Sequence, residues 1–240
     1  MRGHFARALM AAASLTGIAI AAVPPGAHAA PDGGQRTSSL NEVIQHGVPS
    51  VPLTIDGKSV SPETITRYNG QPLYSAVLPE GPHGRLVTFT RRADFERFVS
   101  QNGGPTNALT PPPVSTPDRT AAIGPAQPGA GRFSAGSANR SAAANSSGAS
   151  LWEDAGGFGA WIWVESGYGW PDLTQIDLRC VLWFCTSWND EASSALGSAG
   201  GLTIWDDIWF SGSSLWLPGG NWDDLGIFGW NDRVSSFGSH

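Results

Sequence analysis

The feature that most constrains this chain is a seven-residue phrase written twice near its end. Trp188-Asn189-Asp190-Glu191-Ala192-Ser193-Ser194 and Trp230-Asn231-Asp232-Arg233-Val234-Ser235-Ser236 share the pattern Trp-Asn-Asp-x-x-Ser-Ser. The match extends upstream. Trp152-Glu153-Asp154 lies over Trp205-Asp206-Asp207. After one inserted glycine, Phe158 lies over Phe210, Trp170 over Trp222, Asp172 over Asp224 and Leu173 over Leu225. In this register Ala160 falls on Gly212, a glycine suited to a tight fold-over, so a distorted first hairpin is expected. The first copy then carries about ten additional residues before the copies rejoin. A unit read twice buries its apolar face by packing the two copies together.

The repeats differ in composition from the rest of the chain. All 11 tryptophans fall after residue 150, and Leu151 to His240 holds 12 acidic residues against only Arg179 and Arg233. Short apolar runs, aromatics and frequent glycine predict short antiparallel strands with tight turns. Two copies of about forty residues fit two four-stranded Greek keys packed as a sandwich. The tryptophans then fill a core poor in aliphatic residues, or stand exposed as a stacking platform for sugars.

An aromatic residue and a Phe-x-Gly, as in Trp205 to Gly212, followed by Asn-Asp-x-x-Ser-Ser resembles the βγ-crystallin Greek-key pair. The resemblance covers residues 151–240, with repeats 151–199 and 202–240. The fold it implies is all-β: two Greek-key motifs forming a βγ-crystallin-like sandwich, preceded by a small α+β unit and a disordered linker.

The loop chemistry suits Ca²⁺, which takes about 6–8 oxygen ligands. After Asn189 and Asn231, Asp190 and Asp232 offer carboxylates, and Ser193 and Ser235 offer hydroxyls. The resemblance implies that Glu191 and Arg233 give backbone carbonyls, and that each site borrows an oxygen from the opposite copy's first hairpin, near Glu153 or Asp206. The charge of Arg233 opposes a cation in its own loop, so the site using Glu191 is expected to be the better one. The alternative is that Ser and Asn/Asp only pin the loops by hydrogen bonds to the backbone.

The additional residues hold Cys180-Val181-Leu182-Trp183-Phe184-Cys185, the only two cysteines of the chain. They can meet only if the chain reverses between them, since a straight strand would hold them roughly 17 Å apart. Val-Leu-Trp-Phe is a poor turn sequence, without Gly, Pro, Asn or Asp. Exposed, a disulfide-held apolar tip is a preorganised binding element; buried, it is core. The loop resembles the Cys-Val-x-x-x-Cys loop of bacterial secreted metalloproteinase inhibitors. That resemblance implies a bait bond at Cys180–Val181, with Val181 entering the pocket beside the catalytic zinc of an extracellular metalloproteinase.

The rest of the chain sets the context. Arg2 and Arg7, the apolar run Ala8 to Val23 and Ala27-His28-Ala29 read as a signal peptide over 1–29, so a secreted, extracellular protein is expected. That compartment permits disulfides. Residues 40–101 read as a small α+β unit of unknown role. Its strand-like runs are Val51 to Ile55, Leu73 to Leu78 and Arg85 to Phe89. Asp56-Gly57 and Asn69-Gly70 are hairpin-turn dipeptides, and Thr90 is placed to cap a helix over Arg91 to Gln101. Residues 102–150, rich in Gly, Pro, Ser and Ala, read as a flexible linker, with acceptor patterns at Asn139 and Asn145.

A net charge of −6 argues against nucleic acid as a partner, and no segment after the signal is long enough to span a membrane. The repeats contain no His but His240 and no Lys, which argues against a catalytic triad and so against an enzyme. Three readings stand: a calcium-binding peptidase inhibitor acting through the Cys180–Cys185 loop, a structural or envelope-associated calcium-binding module, and a carbohydrate-binding module that holds cell-wall polysaccharide.

Overall fold

Asp56 and Gly57 both take positive φ, +46° and +79°, as a two-residue hairpin turn demands. They join β1 (Leu53–Ile55) to β2 (Lys58–Val60). The structure, a computed structural model, describes residues 44–114, 121–124, 147–182 and 184–240. The expected signal over 1–29, Asn139, Asn145 and the tip residue Trp183 lie outside these residues. Asn69-Gly70 does not form the expected hairpin. Pro62 starts a 3₁₀ helix, Pro62–Tyr68, and the Asn69 N–H closes it on the Thr66 carbonyl at 3.2 Å. Strands β3 (Tyr74–Leu78) and β4 (Arg85–Phe89) pair antiparallel, and helix α1 spans Arg92–Gln101. Thr90 is not its cap. The Thr90 hydroxyl and N–H both go to the Asp56 carboxylate, at 2.8 and 3.0 Å, tying the helix entry to the first turn.

Part of the stretch read as linker is built into the body. Ala108 and Leu109 are buried with Phe95, Val99 and Trp216. Val114 bridges Gly169, and β5 (Ala121–Gly124) pairs with a strand of the first repeat. Average composition hides Ala108-Leu109, whose few apolar atoms suffice to anchor the chain.

The repeats supply β6 (Gly148–Asp154), β7 (Phe158–Glu165), β8 (Gly169–Trp170), β9 (Asp177–Val181), β10 (Phe184–Ser187) and β11 (Ser194–Gly197) from the first copy. The second copy gives β12 (Leu202–Asp207), β13 (Ser211–Leu217), β14 (Gly220–Trp222) and β15 (Ser236–Ser239). Each copy sends its third strand to the other's sheet. β8 pairs with β15, and β14 pairs with β11. One sheet runs β14-β11-β6-β7-β5 and the other β2-β1-β4-β3-β13-β12-β15-β8. The exchange makes the two Greek keys one sandwich. The outer edges of β7 and β13 are equivalent, and both are covered: β5 lies along β7, and β3 pairs parallel with β13. Open edges of this kind would otherwise template pairing with another chain. Residues 53–89 therefore extend the sheet of the second repeat.

The main core lies between the sheets around Trp188, Leu151, Ile162, Phe228 and Phe237. A second core, with Trp205, Phe210 and Trp216, lies between the large sheet and α1. Trp170, Trp188, Trp205, Trp216, Trp222 and Trp230 are buried, as the packing role requires, while Trp209 stands exposed. Among the described residues no helix is long and apolar enough to cross a membrane.

The first hairpin is not distorted. Gly159 has φ +78° and Gly212 φ +77°, and a side chain at either would strike the two acids preceding the hairpin. Gly159, not Ala160, is the fold-over glycine. The pairs Asp154↔Phe158 and Asp207↔Ser211 show that Phe158 answers to Ser211, which explains why Phe158 is exposed while Phe210 is buried. Sequence matching aligned two phenylalanines that do not occupy equivalent places.

Candidate functional site

Two arrangements stand out: the facing loops and the disulfide hairpin. In the loops, Asp190 and Asp232 adopt left-handed backbone, φ +58° and +53°. This turns their N–H groups across to the other copy. Asp190 N–H donates to the Val234 carbonyl at 3.0 Å, and Asp232 N–H to the Ala192 carbonyl at 3.2 Å. Asn189 and Asn231 each donate from Nδ2 to the following aspartate. The last serine of each motif is a pin. Ser194 Oγ donates to the Asp154 carbonyl at 2.6 Å, and Ser236 Oγ to the Asp207 carbonyl at 2.7 Å.

The preceding serine is different. Ser235 Oγ lies 3.0 Å from the Asp206 carbonyl and 3.5 Å from Asp190 Oδ1. A carboxylate from one repeat thus meets a hydroxyl and a carbonyl from the other. Asp190 and Ser193 of one loop do not share this cluster; the serine comes from the partner repeat. Asp232, Ser193 and Glu153 are the residues at the equivalent positions, the mirror set. Asn189 Oδ1 is buried with no hydrogen-bond partner among the described residues, a spare oxygen in the same loop. Carboxylate, hydroxyl and carbonyl oxygens are the donor set a hard cation takes, so the residues fit Ca²⁺ in kind.

Two arginines bear on that fit. Glu153 and Asp206 are equivalent acids, and each accepts the N–H that follows the fold-over glycine. Ala160 N–H donates to Glu153 Oε2 at 3.2 Å, and Ser213 N–H to Asp206 Oδ1 at 2.6 Å. Each is also ion-paired, Glu153 with Arg179 and Asp206 with Arg233, the latter at 3.0 Å. Arg233 further donates to the Gly229 carbonyl at 2.8 Å and lies 4.8 Å over the Trp230 ring. Burial pushes the Asp206 carboxyl up to about 6, although the Arg233 guanidinium beside it pulls the other way. The guanidinium of Arg233 is thus aimed at the cluster of Asp190, Ser235 and Asp206, not at its own loop's mirror set. Its charge acts beside the oxygens of Asp190, Ser235 and Asp206.

The second arrangement is β9–β10, a two-stranded ribbon standing off both main sheets. Cys180 and Cys185 sit opposite each other, Cα atoms 4.0 Å apart, and are disulfide-bonded. The chain reverses between Val181 and Phe184, and Leu182 takes φ +60°, a costly conformation for a side chain other than glycine. Val181, Leu182 and Phe184 are 71, 82 and 70% exposed. The apolar tip is not core. The cluster Asp177, Cys180 and Cys185 has no free thiolate to offer a metal.

Three solved structures are similar. A βγ-crystallin from Ciona intestinalis is 26% identical over 39% of this chain and 99% of its own, with a TM-score of 0.31. A structure described under the evolution of the eye lens βγ-crystallin domain fold is 18% identical over 49% of this chain and 93% of its own, with a TM-score of 0.33. A βγ-crystallin from an archaeon is 19% identical over 40% of this chain and all of its own, with a TM-score of 0.29. No family model and no curated protein matches the chain. The repeat region has a βγ-crystallin-like fold. Its exchanged third strands and facing Asn-Asp-x-x-Ser-Ser loops carry that assignment. Sequence reasoning singled out both arrangements but missed the two arginine–acid pairs. Two arginines among 12 acids in 90 residues have many possible partners, and only the fold chooses between them.

Proposed function

We propose that this is a secreted, non-catalytic protein of βγ-crystallin type that inhibits an extracellular metalloproteinase through the Cys180–Cys185 hairpin. The observation that carries the reading is the exposure of Val181, Leu182 and Phe184 on a closed hairpin. A solvent-facing apolar tip costs hydrophobic free energy in isolation, and a binding partner recovers it. Among the described residues strand β9 pairs with β10 alone, and its other edge offers a line of backbone groups for pairing with a protease cleft. Val181 then fills the apolar pocket beside the protease's zinc. If the Cys180–Val181 bond is cut, the disulfide keeps the new end tethered and favours its return. Holding the tip in one shape before binding removes ordering entropy from the association step. The test is an inhibition panel of zinc proteases with and without reductant. Inhibition that vanishes on reduction and in Val181→Asp supports the reading; a protein inert against the whole panel overturns it.

A second property is favoured by its own observation. The convergence of Asp190 Oδ1, Ser235 Oγ and the Asp206 carbonyl supports Ca²⁺ binding that stiffens the Greek-key pair. Bound calcium would supply positive charge between the acidic loops. Calorimetric titration tests it, and absence of heat at millimolar Ca²⁺ would sink it. With calcium but no inhibition, the structural-module reading takes over. Trp209, exposed at a hairpin tip, is the residue a polysaccharide-binding reading would rest on.

A further inference from the structure

The insertion that carries the hairpin also carries Arg179, and Arg179 reaches back to the body of the domain. It pairs with Glu153, whose side chain is only 11% exposed. In the second copy the equivalent acid, Asp206, is served by Arg233 from that copy's own loop. The position equivalent to Arg233 in the first copy is Glu191, an acid. The first loop therefore has no cation to give Glu153, and the insertion supplies one. Glu153 is itself held in place by the Ala160 N–H, so it is a fixed anchor on the body.

Strands β9 and β10 pair with each other and with neither main sheet. The base of the hairpin is closed by Trp188 N–H donating to the Ile176 carbonyl at 2.9 Å. Leu178, near the start of β9, packs against the main core, and beyond that point the ribbon can swing as a lever. The disulfide fixes the internal shape of the ribbon and leaves its direction free. Arg179 is the residue before Cys180, so a tie there acts next to the exposed tip.

We infer that the Arg179–Glu153 ion pair is a latch that sets the direction of the Cys180–Cys185 hairpin on the Greek-key body, which makes Arg179 a positioning residue for the tip. This rests on the inhibitory reading for its consequence, but the latch is measurable without a protease. Arg179 is largely exposed at its outer end, so high salt weakens the tie.

The experiment compares the full chain with Arg179→Met, with Glu153→Gln (which keeps the acceptor for Ala160) and with the double variant. Amide order parameters are read by NMR relaxation, with the disulfide intact in every sample. The latch predicts that amides of the hairpin fall from about 0.85 to about 0.6 in each single variant while the sheets stay rigid. The double variant loosens no further, since both changes break one tie. Inhibition weakens about tenfold in step. Hairpin amides as rigid in Arg179→Met and Glu153→Gln as in the parent overturn the latch. If the hairpin loosens as predicted but the parent inhibits no zinc protease, the latch stands and the inhibitory reading falls. If the parent inhibits and the variants stay rigid, the latch falls and the reading stands.

Discussion

Ser235 Oγ lies 3.5 Å from Asp190 Oδ1, although the two residues belong to different repeats. A cation held there would bridge the two copies. Ser235→Ala and Asp190→Asn should then remove the same calorimetric binding event, and the double variant should lose nothing more. Ser193→Ala should remove a different one. Independent, additive losses from Ser235→Ala and Asp190→Asn would show that each loop binds alone.

Arg233 and Asp206 form a pair whose side chains are both under a fifth exposed. Removing Arg233 leaves the buried Asp206 carboxyl without its cation, so it must stay charged against burial or take up a proton. Arg233→Ala is expected to cost about 2–4 kcal/mol in urea denaturation at pH 7. Adding Asp206→Asn, which keeps the bond from Ser213, should recover part of that loss.

His240 gives the fold a dependence on acid. The Thr203 hydroxyl donates to the Ala108 carbonyl at 3.0 Å, so His240 Nε2, 2.8 Å from Thr203 Oγ, must carry the hydrogen of that contact. The ring is neutral, and burial pushes it down to about 4. The folded value lies below the unfolded one, near 6.5, so the unfolded chain takes up the proton first. Stability should be full above pH 6.5 and fall by about 3 kcal/mol as pH drops towards 4. His240→Gln should flatten that part of a melting-temperature profile.

Reduction of Cys180–Cys185 should separate binding from folding. The bond closes a short loop outside both cores, so global stability should drop by about 2 kcal/mol or less. Inhibition of a sensitive protease should be lost outright. Equal loss of both in a melting and inhibition assay would mean that the hairpin is part of the core after all.

An excised 147–240 fragment should not behave as a finished domain. It would bare the edge of β13 and uncover Trp216, which in the whole chain packs with Phe95, Val99 and Leu109. Sedimentation should show self-association, and tryptophan emission should shift to the red. A monomer with unshifted emission would mean that residues 44–114 are dispensable.

The Asn-Asp-x-x-Ser-Ser phrases, read as sequence, determined that two equivalent loops exist. A left-handed Asp and two serines at fixed spacing write local hydrogen-bonding needs directly into the residue order. The turn at Asp56-Gly57 and the extent of β4 were legible for the same reason, because φ preference and side-chain alternation are local. Asn69-Gly70 and Thr90 misled because the same residue types serve other partners, a 3₁₀ end and the Asp56 carboxylate. Phe158 misled because one inserted glycine shifts an alignment without announcing where.

Only the tertiary structure decided which repeat lends its serine to which aspartate, because a third strand exchanged between sheets cannot be read from either copy. It also decided that β3 covers β13, since pairing between residues 74–76 and 214–216 leaves no trace at sequence distances of this size. Above all it decided that the apolar run between the cysteines faces solvent. Val181-Leu182 and Phe184 look the same in sequence whether buried or displayed. What separates the two is whether a core has room for them, and here both cores are already filled by residues from elsewhere in the chain.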